Sequence, residues 1–202
     1  MDTKLSPTSR RTQARIIDAV VDSVAAHGIS GTTLATVARG AGVSQGVLVF
    51  HFKTKDGLLA ETLRRLSDEY RAAWEPALAA ADPLDRVLGL VSADFSPAVC
   101  TRKKLALWFA FWGEAGARPL FSAICEAAED ARYAAMVAAC TALSARYGAP
   151  ADPALLADTI DATTDGLWLQ MHIYARRLTR IRAREAAMGH LRLLLPGLAD
   201  RI

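Results

Sequence analysis

Ser44, Gln45, His51 and Lys55 crowd into one stretch, VARGAGVSQGVLVFHFKTKDGLL, residues 37–59. A serine hydroxyl can cap a helix and bond a phosphate. A glutamine carboxamide can pair bidentately with adenine. An imidazole and an ammonium can serve phosphates that hold a duplex in register. This is the chemistry of polyanion recognition rather than bond making. A second group is aromatic: in LALWFAFWGEAG, Trp108, Phe111 and Trp112 fall at three- and four-residue spacing and share one helix face. Trp168 lies further on, with Asp165 one turn before it. Rings attract a quaternary ammonium and an acid balances its charge. Aromatic stripes at this spacing also fill cores, so packing is the competing role for each ring.

The DNA-directed residues need a particular scaffold. Ile16, Val20 and Val24 repeat every fourth residue and predict a first helix over residues 10–27, ended by Gly28 in a left-handed cap. Thr32 or Thr33 caps a second helix running to about Arg39, and Gly40 and Gly42 break it. Ser44 caps a short third helix to about Phe50, and a fourth runs from about Thr54 to Ala80. Two short helices joined by a glycine turn form a helix-turn-helix, whose second helix meets base edges with its N-terminal residues. Gln45 is then the reading side chain, and Gly46 permits close approach. Val47 and Leu48 are available to thymine methyls, one of them packing inward. Thr33, Ser44, His51, Lys55 and Arg11 join the DNA-contacting set, with Arg10 and Arg15 beside Arg11. Phe50 and Phe52 are expected in the core.

Charge agrees with this placement. Residues 1–65 carry nine Lys/Arg and five Asp/Glu, and residues 66–202 carry fifteen and sixteen, so the basic excess lies wholly in the first third. The remaining pattern is helical, over about 84–95, 102–116, 119–147, 153–176 and 180–195. The breaks are FSPAVCT, GARP, YGAPADP and RRLT. Leu156, Ile160, Thr163, Leu167 and Met171 make one stripe, and Met188, Leu191, Leu194 and Leu195 another. Such a pair of helices can form a four-helix interface with a second copy, or simply pack within the chain. The basic run from Arg176 to Arg184 reads as a solvated connector.

The fold class expected is all-α: an N-terminal three-helix helix-turn-helix domain plus a C-terminal helical domain. The expected boundaries are a flexible arm at 1–9, a DNA-binding domain at 10–70 and an effector-binding and dimerisation domain at 71–202. No apolar run reaches the roughly 20 residues that span a bilayer, and the N-terminus has no signal-peptide core, so a cytosolic protein without a membrane partner is expected. Three scattered cysteines and four histidines show no metal spacing. No nucleophile elbow, phosphate-binding glycine loop or carboxylate pair is evident, so no catalytic residue, metal or cofactor is assigned.

TTLATVARGAGVSQGVLVFHFKTKDGLL resembles the DNA-binding domain of TetR-family transcriptional regulators. Thr33, Ala38, the AGVS at 41–44, Gly46, His51, Phe52, Lys55 and Leu58 carry the likeness. The resemblance implies a homodimer reading two half-sites of a palindromic double-stranded operator, with a C-terminal domain that binds a small effector. Many members carry tyrosine where this chain has Val49, so that phosphate contact is absent here. KLALWFAFWGEAGARPLF and TTDGLWL resemble the choline-responsive BetI-type branch, which implies an effector site using Trp108, Phe111, Trp112, Asp165 and Trp168. Two other classes stand beside the repressor: a helical enzyme with catalytic groups gathered from distant positions, and an architectural DNA-binding protein with weak sequence preference.

Overall fold

The computed structural model describes residues 6–148 and 152–202. Among the described residues there are nine α-helices and no strand: α1 (Pro7–Gly31), α2 (Leu34–Ala41), α3 (Gln45–Phe52), α4 (Lys55–Trp74), α5 (Pro83–Asp94), α6 (Arg102–Ala115), α7 (Pro119–Tyr147), α8 (Pro153–Ile173) and α9 (Arg180–Leu194). Short 3-10 segments follow α4 and α9, at Glu75–Ala79 and Pro196–Arg201. Thus the fourth helix leaves α geometry at Trp74, before Ala80.

Local chemistry sets most of these ends. Pro7 opens α1 and Ser6 caps it by accepting from the Ser9 amide. Residues 7–9 are therefore the first turn of a helix rather than part of a flexible arm; residues 1–5 lie outside the described residues. Asp82 and Asp152 cap α5 and α8 in the same Asp-Pro arrangement, and Thr179 caps α9. Residues 149–151 of the YGAPADP break lie outside the described residues. Gly28 does adopt positive φ (68°), but with ψ of 178° it turns the chain instead of stopping it. One further turn follows, and it tucks Ile29 into the core.

The chain forms two compact units. The first comprises the N-terminal residues to Leu66 together with Ala106–Cys125, and the second Ser67–Leu105 with Glu126–Ile202. In the first, Ile16 and Val20 of α1, Val37 of α2, Leu48 of α3 and Leu59 and Leu63 of α4 are fully buried. Each such aliphatic side chain contributes about 1.5–3 kcal/mol relative to exposure. Phe111 and Phe121 meet edge to face in the same unit, their centroids 5.3 Å apart.

In the second unit α5, α8 and α9 pack on one another. Ala183 and Ala187 are wholly buried on α9. A polar clamp ties down the C-terminal 3-10 turn. Arg201 donates to Asp82 Oδ2 at 2.8 Å and to the Tyr147 hydroxyl at 2.8 Å, and that hydroxyl donates to Asp82 at 2.7 Å. These donors, Arg201 first, hold the Asp82 carboxyl well below the usual carboxylate range.

Candidate nucleic-acid and effector sites

The turn between α2 and α3 depends on Gly42, which sits in the left-handed region (φ 63°, ψ 40°). Its amide and that of Val43 close on the carbonyls of Arg39 and Ala38. Gly40, in contrast, stays helical. Thr33 caps α2 reciprocally with Thr36: each side chain accepts from the other's backbone amide, at 3.1 and 3.0 Å. Ser44 caps α3 by accepting from the Val47 amide at 3.4 Å.

These caps fix which face of α3 is outward. Leu48 and Phe52 are buried, and Val47 and His51 are half-buried. Gln45 and Gly46 are exposed, as the recognition role requires. Phe52 joins the core as expected. Phe50 does not: its ring is 71% exposed, and the neighbouring Val49 is 45% exposed. The expectation that Phe50 packs inside is corrected by helical phase, since Leu48 and Phe52 already occupy the inner face.

Several polar residues are tied to the scaffold. His51 Nδ1 lies 3.5 Å from Gln13 Nε2 on α1. Lys55 Nζ donates to the Ile29 carbonyl at 2.8 Å, fastening the start of α4 to the end of α1. Arg11 is exposed on the second turn of α1, with Arg10 and Arg15 also exposed. After α3 the chain makes a rare turn. Lys53 has φ 67° and ψ −55°, and the Thr54 amide donates to the Phe52 carbonyl at 2.8 Å. This is the strained three-residue γ geometry. It brings Lys53 Nζ back to the Phe50 carbonyl at 3.2 Å and within 5.8 Å of the Phe50 ring centroid. A Cβ on Gly57 would collide with that same Phe52 carbonyl, so the turn needs glycine there. Asp56, in the first turn of α4, pairs with Arg118 at 2.8 Å, and Arg118 also pairs with Glu114 at 2.8 Å.

The aromatic residues divide between the units. Trp108 and Phe111, 1% and 0% exposed, are buried in the first unit. Trp112 is half-buried beside Trp108, centroids 5.9 Å apart. Trp168 and Asp165 belong to the second unit, where Trp168 is buried and donates its indole N–H to the Asp94 carbonyl at 2.9 Å.

Around Trp168 lies a cluster that sequence spacing did not reveal. Asp94, 2% exposed, accepts from the Tyr70 hydroxyl at 2.8 Å and from Arg132 at 3.0 Å. Arg132 also reaches Asp161 at 3.5 Å, and the Tyr70 and Trp168 rings meet at 5.8 Å. Desolvation, with Asp165 and Asp161 nearby, pushes the Glu129 carboxyl up to about 7. Desolvation likewise raises Asp161 and Asp165 to about 6, against the opposing pull of Arg132. Burial also raises Asp94, although Arg132 and Tyr70 favour its ionised form. Two of these carboxyls, Asp94 and Asp161, pair with Arg132, while Glu129 is half-buried and Asp165 exposed; the Arg132 Nε is buried and meets no acceptor.

The outer surfaces of α8 and α9 also differ from their sequence stripes. Leu156, Ile160, Met171, Met188, Leu191 and Leu195 are buried within the chain, and Thr163, Leu167 and Leu194 are half-buried. The large apolar side chains that face out are Leu155, Leu169 and Ile173 on α8, and Ile181 and Leu193 on α9.

Comparison with known proteins matches both parts of the chain. Residues 16–62 match the bacterial regulatory proteins of the tetR family, and residues 83–196 match the C-terminal part of BetI-type transcriptional repressors. The HTH-type transcriptional regulator BetI of Burkholderia thailandensis is 33% identical over 160 residues, covering 78% of this chain and 80% of the relative. Its namesake from Burkholderia ambifaria is 30% identical over 197 residues, covering 91% and 93%. Among solved structures, a transcriptional regulator from Pseudomonas aeruginosa superposes with TM-score 0.81 at 25% identity, covering 98% of this chain and 96% of that one. A regulator from Saccharomonospora viridis, solved in complex with choline, shares the fold with TM-score 0.77 at 22% identity, covering 88% and 94%. No described helix is long and apolar enough to cross a membrane.

Proposed function

Because the chain belongs to the TetR family of transcriptional regulators and carries a BetI-type C-terminal part, we propose that it is a cytoplasmic, non-catalytic, ligand-responsive repressor. It binds a palindromic operator as a homodimer, and a small cation alters its affinity for DNA. One observation carries the DNA reading: the caps on α2 and α3 turn Gln45 and Gly46 outward while Leu48 and Phe52 anchor the helix. Gln45 reads a base, Gly46 allows close approach, and Val47 lies beside them. Thr33, Ser44, His51, Arg11 and the spare donors of Lys55 serve phosphates.

The carboxyl cluster supports a cationic effector. Asp94, Glu129, Asp161 and Asp165 outnumber Arg132; burial is the main cause of their raised proton affinity, and a bound cation favours their ionised forms. Trp168 and Tyr70 add ring faces, and Arg132 Nε is a donor for an effector oxygen. Choline combines the required charge with a hydroxyl. Such an effector shifts DNA binding only by its differential affinity for the two states, and a hundredfold shift needs about 2.7 kcal/mol.

Calorimetric titration tests the effector reading. Choline should bind the wild type, and Glu129→Gln and Asp165→Asn should weaken choline more than its uncharged carbon isostere. Equal binding of the two ligands, or of neither, would remove the cation from the proposal.

A further inference from the structure

The outward face of α3 is partly apolar. Beside Gln45 and Gly46 it presents Val49 and Phe50, 45% and 71% exposed, with Lys53 behind them. Neither Val49 nor Phe50 has a hydrogen-bond donor or acceptor on its side chain. They cannot read the donor and acceptor pattern of a base edge. The apolar feature that a base pair offers in the major groove is the C5-methyl of thymine. The Phe50 ring is held outward by local contacts. His51 packs edge-on at 5.1 Å, and the Lys53 ammonium lies 5.8 Å from the ring centroid. The left-handed turn at Lys53 brings that ammonium back toward the ring and the Phe50 carbonyl, with donors left over for a phosphate.

We propose that Val49 and Phe50 are specificity-determining residues that read thymine methyl groups, with Lys53 fixing the register on the adjoining phosphate. This rests on the DNA-binding reading of α3 given above. Val49 lies one turn beyond Gln45, so the methyl-bearing thymine is a near neighbour of the base that Gln45 reads. Losing one methyl from an apolar contact weakens binding about fourfold. Two half-sites, each losing one, weaken it about fifteenfold.

The test uses full-length protein and duplexes that it selects from a random-sequence pool. The selected duplex is resynthesised with deoxyuridine replacing thymidine inside the half-sites, or only in the flanks. Wild-type protein should lose about tenfold or more in affinity on the half-site substitution and nothing on the flank substitution. Phe50→Ala and Val49→Ala should each bind the thymidine duplex more weakly and lose part of the sensitivity to deoxyuridine, and the double variant should lose all of it. Both side chains are exposed, so an unchanged melting temperature confirms intact folding. Equal wild-type affinity for the two half-site versions overturns the inference, as do alanine variants that keep full sensitivity to deoxyuridine. A Phe50→Ala variant weakened equally on selected and scrambled duplexes also overturns it, because the ring would then touch only the backbone. If the pool yields no enriched sequence, the DNA-binding reading itself fails, and the inference with it.

Discussion

Replacing Leu193 with serine should dissociate the dimer without unfolding the subunit. Leu193 is 80% exposed near the end of α9, on the side away from the buried Ala187 and Leu191. A leucine passing from water into an interface core contributes about 1.5–3 kcal/mol. A two-fold interface contains it twice, so the substitution costs the dimer about 3–6 kcal/mol, or roughly two to four orders of magnitude in dissociation constant. The neighbouring Leu191 is buried within the chain, so Leu191→Ser should instead destabilise the fold, by about 2–5 kcal/mol. Sedimentation equilibrium over a wide concentration range reads the first effect, and thermal melting of the dissociated subunit separates it from the second. A Leu193→Ser protein that dimerises as tightly as wild type would refute the assignment of this face, as would a wild type that stays monomeric at about ten micromolar.

Three other perturbations separate folding from function. Gly46→Ala meets only Ser44 Oγ at 3.7 Å, so it should stabilise α3 by about 0.5–1 kcal/mol while weakening operator binding at least tenfold; melting and DNA titration should move in opposite directions. Lys53→Gly releases a left-handed φ and should raise stability by about 1 kcal/mol, yet make the salt dependence of DNA binding shallower by about one charge per subunit. Glu129, Asp161 and Asp165 have proton affinities raised in the fold to about 7, 6 and 6. Their contribution to stability is therefore full below the unfolded values near pH 4 and lost as pH rises through about 6–7. Choline affinity should rise over that same interval, with protons released on binding, and calorimetry in buffers of different ionisation enthalpy measures both. An affinity flat across the interval would detach these carboxyls from the effector.

Helix order and breaks were legible in the sequence because their causes are local. Asp82-Pro83, Asp152-Pro153, Thr179 and Gly42 each start or stop a helix through their own backbone or side chain. What covers each face of α8 was not legible. The stripe Leu156, Ile160, Thr163, Leu167 and Met171 does turn inward, but Leu155, Leu169 and Ile173 add exposed apolar side chains outside it, and periodicity does not say which arc its own chain covers. Phe50 was misplaced for a related reason: an aromatic flanked by apolar residues looks like core until Leu48 and Phe52 fix the phase. The Tyr70–Asp94–Arg132 cluster joins residues 24 and 38 positions apart on three helices, so it leaves no motif. The strained turn at Lys53 was hidden because lysine gives no hint of left-handed backbone; the glycine at 57 was the available signal.

Whether this is an operator-binding dimer that answers to a cation is decided by its affinity for a duplex that it has itself selected, measured with and without choline. The selected duplex should carry two half-sites related by two-fold symmetry, occupied by one dimer. Its affinity should change with choline but not with the uncharged isostere, and Gln45→Ala should lose base preference at one position per half-site. An affinity for selected and scrambled duplexes that is equal, and that choline leaves unmoved, would contradict that assignment.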